Sequence, residues 1–291
     1  MLRLRSLAAF GAFALAAAAV AQPGPGPLFP EPFRVAHHLI QEDGDGSRFV
    51  GEPVVDTYGG SWIVSERPDG SRLIVDLARR ELSEVRADKG TYWTVSFDRF
   101  AELQSRLRAA QGLAPEKTAE KAAAPPAPEL VVTEVAAETA GKSGGTSLAD
   151  RPGVRRLRVT QKGSDKSGAA APLLDAWVDP SVRLTPAALG AVSSLETVLA
   201  GPDSGVSPGR ALAAVRTRAG GALPVRTVRF LAAPGAQVED ETTRVERLER
   251  FPSALAEIPE GLKRVPHPLE SVVRFLEEDA ERNAAMAGRK P

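Results

Sequence analysis

From Ser61 to Ser96 the chain passes through four short segments in which apolar and polar residues alternate, and this stretch restricts the fold more than any other. In Ser61–Arg67, Trp62 and Val64 lie opposite Ile63. In Arg72–Leu77, Leu73, Val75 and Leu77 share one side, and Arg80–Arg86 and Thr91–Ser96 keep the pattern. A period of two is that of a strand with one covered face, because successive side chains leave the pleated backbone on opposite sides. Pro68-Asp69-Gly70-Ser71 and Ala87-Asp88-Lys89-Gly90 are turn sequences, so the segments predict an antiparallel meander. Its apolar face needs a cover. Phe97, Phe100, Ala101, Gln104, Leu107 and Arg108 follow at helical spacing, with Ser96 as N-cap and Gly112 and Pro115 as the stop.

The rest of the chain extends the same logic. Phe33–Gln41 and Phe49–Asp56 read as strands around a Glu42–Gly46 turn, and Glu129–Ala137, Val154–Thr160, Pro172–Val178, Leu223–Leu231 and Glu241–Phe251 as further strands. Helices open at Thr185-Pro186, Ser207-Pro208 and Pro268, where proline suits the first helical position. Leu189, Val192, Leu195 and Leu199 line the first of these, and Leu269, Val272, Val273, Leu276 and Ala280 the last. Roughly nine to eleven strands and three or four helices, grouped rather than alternating as βαβ units, predict an α+β fold with a largely antiparallel sheet packed against three to four helices. Arg244, Glu246, Arg247, Glu249 and Arg250 alternate in sign, the expected pattern of a solvated, edge-protecting strand.

Met1–Ala21 carries Arg3 and Arg5, an uncharged apolar run over Leu7–Ala18, and the small-x-small sequence Ala19-Val20-Ala21. These are the three parts of a secretory signal peptide cleaved after Ala21, which places the mature chain in the periplasm or outside a bacterial cell. The abundance of Ala, Arg, Gly and Pro fits a bacterial origin. No later apolar stretch has the length of a membrane-spanning helix, so no integral span is expected after cleavage. Gln22–Pro32 reads as a Pro/Gly tether, Ala114–Pro128 as a low-complexity linker inside a single domain over Phe33–Ala287, and Gly288–Pro291 as a tail.

Composition narrows the function classes. Thirty-seven Lys and Arg balance 37 Asp and Glu, leaving no cationic excess for a nucleic-acid partner. The absence of Cys removes disulfides, thiolate catalysis and zinc–thiolate sites, and three His leave few candidates for a general base or a metal centre.

Several phrases carry a family resemblance: Gly70-Ser71-Arg72-Leu73-Ile74-Val75-Asp76, Lys89-Gly90-Thr91-Tyr92-Trp93, Asp175-Ala176-Trp177-Val178-Asp179-Pro180, and Leu255–Arg264 (LAEIPEGLKR). They resemble an uncharacterised family of exported bacterial proteins, itself similar to the periplasmic lipoprotein carriers of the LolA/LolB type. The resemblance implies a curved, half-barrel antiparallel sheet around helices, with an apolar cavity for acyl chains. It covers about Phe33 to Ala287. The chain departs from the family where a Gly-aromatic pair opens the middle strand; here the stretch is Ala149-Asp150-Arg151-Pro152-Gly153-Val154. None of the carriers' own functional residues has a matching position.

Other motifs are weaker. Gly141-Lys142-Ser143-Gly144-Gly145 has the spacing of a nucleophile elbow, making a serine hydrolase built on Ser143 the remote alternative, but Pro152 and Gly153 interrupt the helix that mechanism requires. The same residues lack the first glycine of a phosphate loop, since Ala136 stands there. Asp43 and Asp45 suggest a calcium loop, yet Arg48 and Val54 occupy positions that need Gly and Glu, so a hairpin turn is expected. His37 and His38 are neighbours in a strand and point to opposite faces, which prevents joint chelation. His267, between Pro266 and Pro268, suits a positioning role at a helix start.

Trp62, Trp93 and Trp177 with Tyr58 and Tyr92 are the candidate lining of a ligand cavity, in competition with ordinary core filling. The expectation is a non-enzymatic exported protein without cofactor, catalytic residues or metal. Its expected partner is a lipid or lipoprotein acyl chain, or alternatively a cell-envelope protein for which it is an interaction module.

Overall fold

The computed structural model describes residues 26–111, 129–136, 147–162, 172–200, 208–231 and 234–287. The predicted signal peptide, the body of the Ala114–Pro128 linker, the Ser143 motif and the predicted tail lie outside them. The described chain is a mixed α+β fold: one open, mostly antiparallel sheet of 13 strands with four helices.

The elements are β1 (Phe29–Glu42), β2 (Arg48–Val50), β3 (Val54–Gly60), β4 (Trp62–Glu66), β5 (Arg72–Asp76), β6 (Glu81–Arg86), β7 (Thr91–Ser96) and α1 (Phe97–Ala110). Then come β8 (Leu130–Val135), β9 (Arg155–Gln161), β10 (Pro172–Arg183), α2 (Pro186–Ala200), α3 (Pro208–Arg218), β11 (Ala222–Phe230), β12 (Gln237–Arg247), β13 (Lys263–Arg264) and α4 (Pro268–Ala287). Their order across the sheet is β13-β7-β6-β5-β4-β3-β1-β12-β11-β10-β9-β8, with β2 paired to the end of β1. Only the short β13–β7 contact is parallel.

The meander forms as its alternation dictates. At the β4–β5 turn, Asp69 Oδ1 accepts from the Ser71 amide at 2.9 Å and its hydroxyl at 2.6 Å, and Gly70 takes the left-handed φ of 76°. Ser96 caps α1, its hydroxyl accepting from the Arg99 amide at 3.2 Å. Ile63, Val75, Leu82 and Val95 face α1 and α2, where Phe97, Leu103, Ala188, Val192 and Leu195 complete the core. α3 covers the other half of the same face, over Leu157, Val159, Leu174 and Ala176.

The opposite face is covered by connecting segments with single 3-10 turns and no α-helix among the described residues. Phe251, Leu255 and Leu262 lie over Val64, Ile74 and Val85, while Leu148 and Ala149 lie over Trp177, Val225 and Val228. Gly59 is required by the first of these covers. A β-carbon there would fall 2.4 Å from the Phe251 ring.

Three expectations are corrected. β1 begins at Phe29, inside the stretch predicted as a tether, because Phe29 packs edge-on to Tyr58 at 5.4 Å and is buried. The strand predicted over Phe49–Asp56 is two strands, split at Gly51–Pro53 where the Gly51 amide bonds Leu39 O at 2.8 Å and Pro53 has no N–H to donate. β12 starts at Gln237, ahead of the predicted Glu241, and lies between β1 and β11 over Gln237–Glu241, while the stretch with Arg244 and Glu246 beyond it is paired with β1 alone and solvated.

Candidate functional site

The two halves of the sheet meet at β1 and β12. There the helix cover passes from α2 to α3, and the strands present polar residues where each half elsewhere presents valine and leucine. On the helix face, β1 contributes Val35, His37 and Leu39, β3 contributes Asp56 and Tyr58, and β12 contributes Asp240 and Thr242. Between these strands and the two helices run two adjoining cavities of about 280 and 370 Å³, which share Glu196, Leu199, Leu212, Thr227 and Asp240. Together they form one groove of a size typical for small-molecule sites. Its walls are Ile63, Leu73, Val75, Val192, Leu195, Leu199, Leu212 and Leu223. Gly209 allows α3 to close on α2 there, since a β-carbon would meet Glu196 at 3.1 Å.

The floor is charged. His37 Nδ1 donates to Asp240 Oδ1 at 2.8 Å, and its Nε2 lies 3.4 Å from Asp56 Oδ2 without good hydrogen-bond alignment. Burial works against a charged imidazole, but the two carboxylates outweigh it and raise the His37 pKa to about 10. Ser65 Oγ donates to Asp56 Oδ1 at 2.5 Å. Tyr58 stacks on Phe33 at 4.5 Å between ring centres, and burial together with Asp56 pushes its phenol well above the usual range. Across the groove, Glu196 of α2 pairs with Arg216 of α3; burial raises the Glu196 pKa and Arg216 opposes it.

An imidazole held as imidazolium has no lone pair with which to act as general base, and the Ser65 hydroxyl gives its proton to a carboxylate instead of to His37. Among the described residues no group of three or more His, Cys, Asp or Glu is placed to hold a metal ion.

Of the five aromatic residues predicted to line a cavity, Tyr58 lines the groove and the other four lie elsewhere. Tyr92 and Trp93 are successive in β7 and point to opposite faces. Trp93 donates its indole N–H to Glu84 at 2.7 Å and meets His267 edge-on at 4.3 Å. Tyr92 and Trp62 lie under the Phe251–Leu262 segment, with Trp62 stacked on Phe251 at 5.7 Å. Trp177 is in the other half, between the guanidinium groups of Arg156 and Arg226 at 4.9 and 4.7 Å. Trp62 also borders a separate cavity of about 360 Å³ with Ile74, Ala256 and Ile258, and none of these four rings lines the groove.

The hairpin turn at Asp43–Ser47 forms as predicted, with Asp45 Oδ1 accepting from the Ser47 amide at 2.9 Å. His267 has the expected positioning geometry: its Nδ1 accepts from the Leu269 amide at 3.1 Å at the start of α4. His38 faces away from the groove, 3.7 Å from Glu241.

Sequence reasoning missed Asp56, Asp240, Glu196, Arg216 and Arg229. One signal was readable, because Glu196 is the sole charged residue of α2. A lone charge on an otherwise apolar buried helix calls for a buried partner.

No protein-family model matches the chain. No curated protein sequence matches it either. Among solved structures, it is similar to an uncharacterized conserved protein from Thermus thermophilus, with TM-score 0.34, 8% identity, and coverage of 81% of this chain and 90% of that one. It is also similar to PNGF-II, with TM-score 0.34, 11% identity and coverage of 85%; the match spans 32% of PNGF-II. A third is described as an outer membrane lipoprotein-sorting protein domain from Vibrio parahaemolyticus, with TM-score 0.25, 8% identity and coverage of 78% and 92%. Likenesses of this strength carry no functional assignment. Among the described residues no helix is long and apolar enough to cross a membrane.

Proposed function

We propose that this chain is an exported, non-enzymatic binding protein that holds a single apolar chain, such as a lipid or lipoprotein acyl chain, in the groove between the sheet and α2–α3. The observation that carries the proposal is the groove itself, a space between the sheet and α2–α3 bordered by Leu39, Leu174, Leu199, Leu212 and Val238. Its rim supports an apolar occupant, since Leu39 and Leu199 line the groove yet are 51% and 44% exposed. The sequence resemblance to LolA/LolB-type carriers points the same way. Export rests on the Met1–Ala21 signal sequence.

The test is binding of N-phenyl-1-naphthylamine, a neutral apolar fluorophore, to the mature chain, with displacement by single-chain amphiphiles. Leu212→Trp, which fills the groove, is expected to abolish the fluorescence gain while leaving the thermal midpoint within a few degrees. A protein that binds no probe, or a variant that binds as the parent does, refutes the proposal. Organic extraction of the protein from a periplasmic extract, followed by mass spectrometry, identifies the natural occupant.

A second reading, a protein-interaction module, draws on α4, where Val272 and Phe275 are 44% and 60% exposed on one side of the helix. Loss of a co-purifying envelope partner on Phe275→Ser would favour it, whereas an unchanged partner set would remove it.

A further inference from the structure

The groove also carries information about the head of its ligand. Arg229 of β11 lies between Leu174 of β10 and Val238 of β12 in the strand register, and all three line the groove. Among the described residues Arg229 has no ion pair, and its Nε is buried without a hydrogen-bond partner. The other charged groups of the groove are engaged: Asp240 with His37, and Glu196 with Arg216. The unsatisfied polar atoms along the groove are therefore unequal in kind. Arg229 Nε, Arg216 Nε and His37 Nε2 are donors, and Glu196 Oε2 is the one acceptor among them. Arg229 is half-buried, and its Nε, shielded between two aliphatic neighbours, calls for an acceptor, of which an anion is the strongest.

We propose that the groove selects an amphiphile with an anionic head, carboxylate or phosphate, and that Arg229 takes the head while Leu39, Leu174, Leu199, Leu212 and Val238 hold the chain. This rests on the apolar-chain reading above and names the class of ligand within it. The planar fork of arginine meets either head through two parallel N–H bonds.

The experiment compares four ligands of equal chain length on the mature protein by calorimetry, below their micelle concentrations: dodecanoate, dodecyl phosphate, dodecanol and dodecyltrimethylammonium. The anions are expected to bind at least about tenfold more tightly than the alcohol and the cation. Arg229→Gln is expected to remove that advantage while leaving dodecanol affinity and the thermal midpoint unchanged. The tighter of the two anions then identifies the head. Equal affinity for all four ligands, preference for the cation, or an anion preference that survives Arg229→Gln overturns the anionic-head proposal while the groove remains a chain-binding site. Binding of none of the four overturns the functional reading as well.

Discussion

His37 gives the sharpest physical test of the groove's floor. Its imidazole sits between Asp240 at 2.8 Å and Asp56 at 3.4 Å, and its pKa rises from 6.5 to about 10. That rise corresponds to about 5 kcal/mol favouring the charged form in the folded state. The Asp56 contact is long and poorly aligned, so about 5 kcal/mol is a ceiling. Below pH 6.5 both folded and unfolded chains carry the proton, and the full contribution is present. Between about 6.5 and 10 the unfolded chain has lost the proton and the folded chain keeps it. Stability then falls with rising pH, by at most about 1.4 kcal/mol per pH unit. Above about 10 the loss levels off. The assay is urea unfolding at pH 6 to 10, parent against His37→Gln, with the ring Cε1–H resonance of His37 followed by NMR. The parent should lose stability across this range more steeply than His37→Gln, and the His37 resonance should stay at its imidazolium position through pH 9. A resonance titrating near 6.5, or parallel stability curves, would refute the claim that the two carboxylates hold His37 charged.

Further perturbations test other parts of the structure. Asp175, 1% exposed, accepts from Arg156 and Arg158 at 2.5–2.7 Å, so Asp175→Asn should cost about 3 kcal/mol in urea unfolding by removing the buried carboxylate that both arginines contact. Burial works against the Asp175 carboxylate but the two arginines lower its pKa; its stabilisation is full above the ordinary carboxylate range, is lost as pH falls through the depressed value, and should be absent from the acid limb of Asp175→Asn. His267→Leu should cost about 1 kcal/mol and speed amide exchange at the start of α4, while His267→Asn retains a capping acceptor. Burial lowers the His267 pKa, so its contribution is present above the ordinary histidine range and fades as pH drops below it. Gly59→Ala should destabilise by about 1–3 kcal/mol and shift Trp62 emission to the red, because the new methyl displaces Phe251 from its stack.

What the sequence disclosed was local. Alternation from Ser61 to Ser96 and the Ser96 cap fall within a few residues of their observed positions, because period and capping act over neighbours. The charge alternation at Arg244–Arg250 is local in the same way: it reports a wet stretch and does not say which strands lie alongside. Pairing of β1 with β12, as in His37 opposite Thr242, joins residues about two hundred positions apart, and no local pattern encodes it. The candidate site depends wholly on that pairing. Asp56 and Asp240 each read as an ordinary polar strand position until β1 lies between their strands and places His37 within reach of both.

The position of the groove follows from this topology. Each half of the sheet recruits its own helical cover, α1 and α2 over β4–β7 and α3 over β8–β11, and the strand that closes the two halves is the first in sequence. Two covers that arise from separate halves need not tile the face completely, and the uncovered strip falls along the closure. The strip is floored by His37, Asp56 and Asp240 and bridged by Glu196 and Arg216. Buried ion pairs of this kind are weak stabilisers compared with well-packed aliphatic residues. They do fix register, because the His37 contacts are met only when β3, β1 and β12 are aligned. On the proposed reading, a chain bound in the strip would touch both covers and both halves, and its binding energy would add to the closure itself.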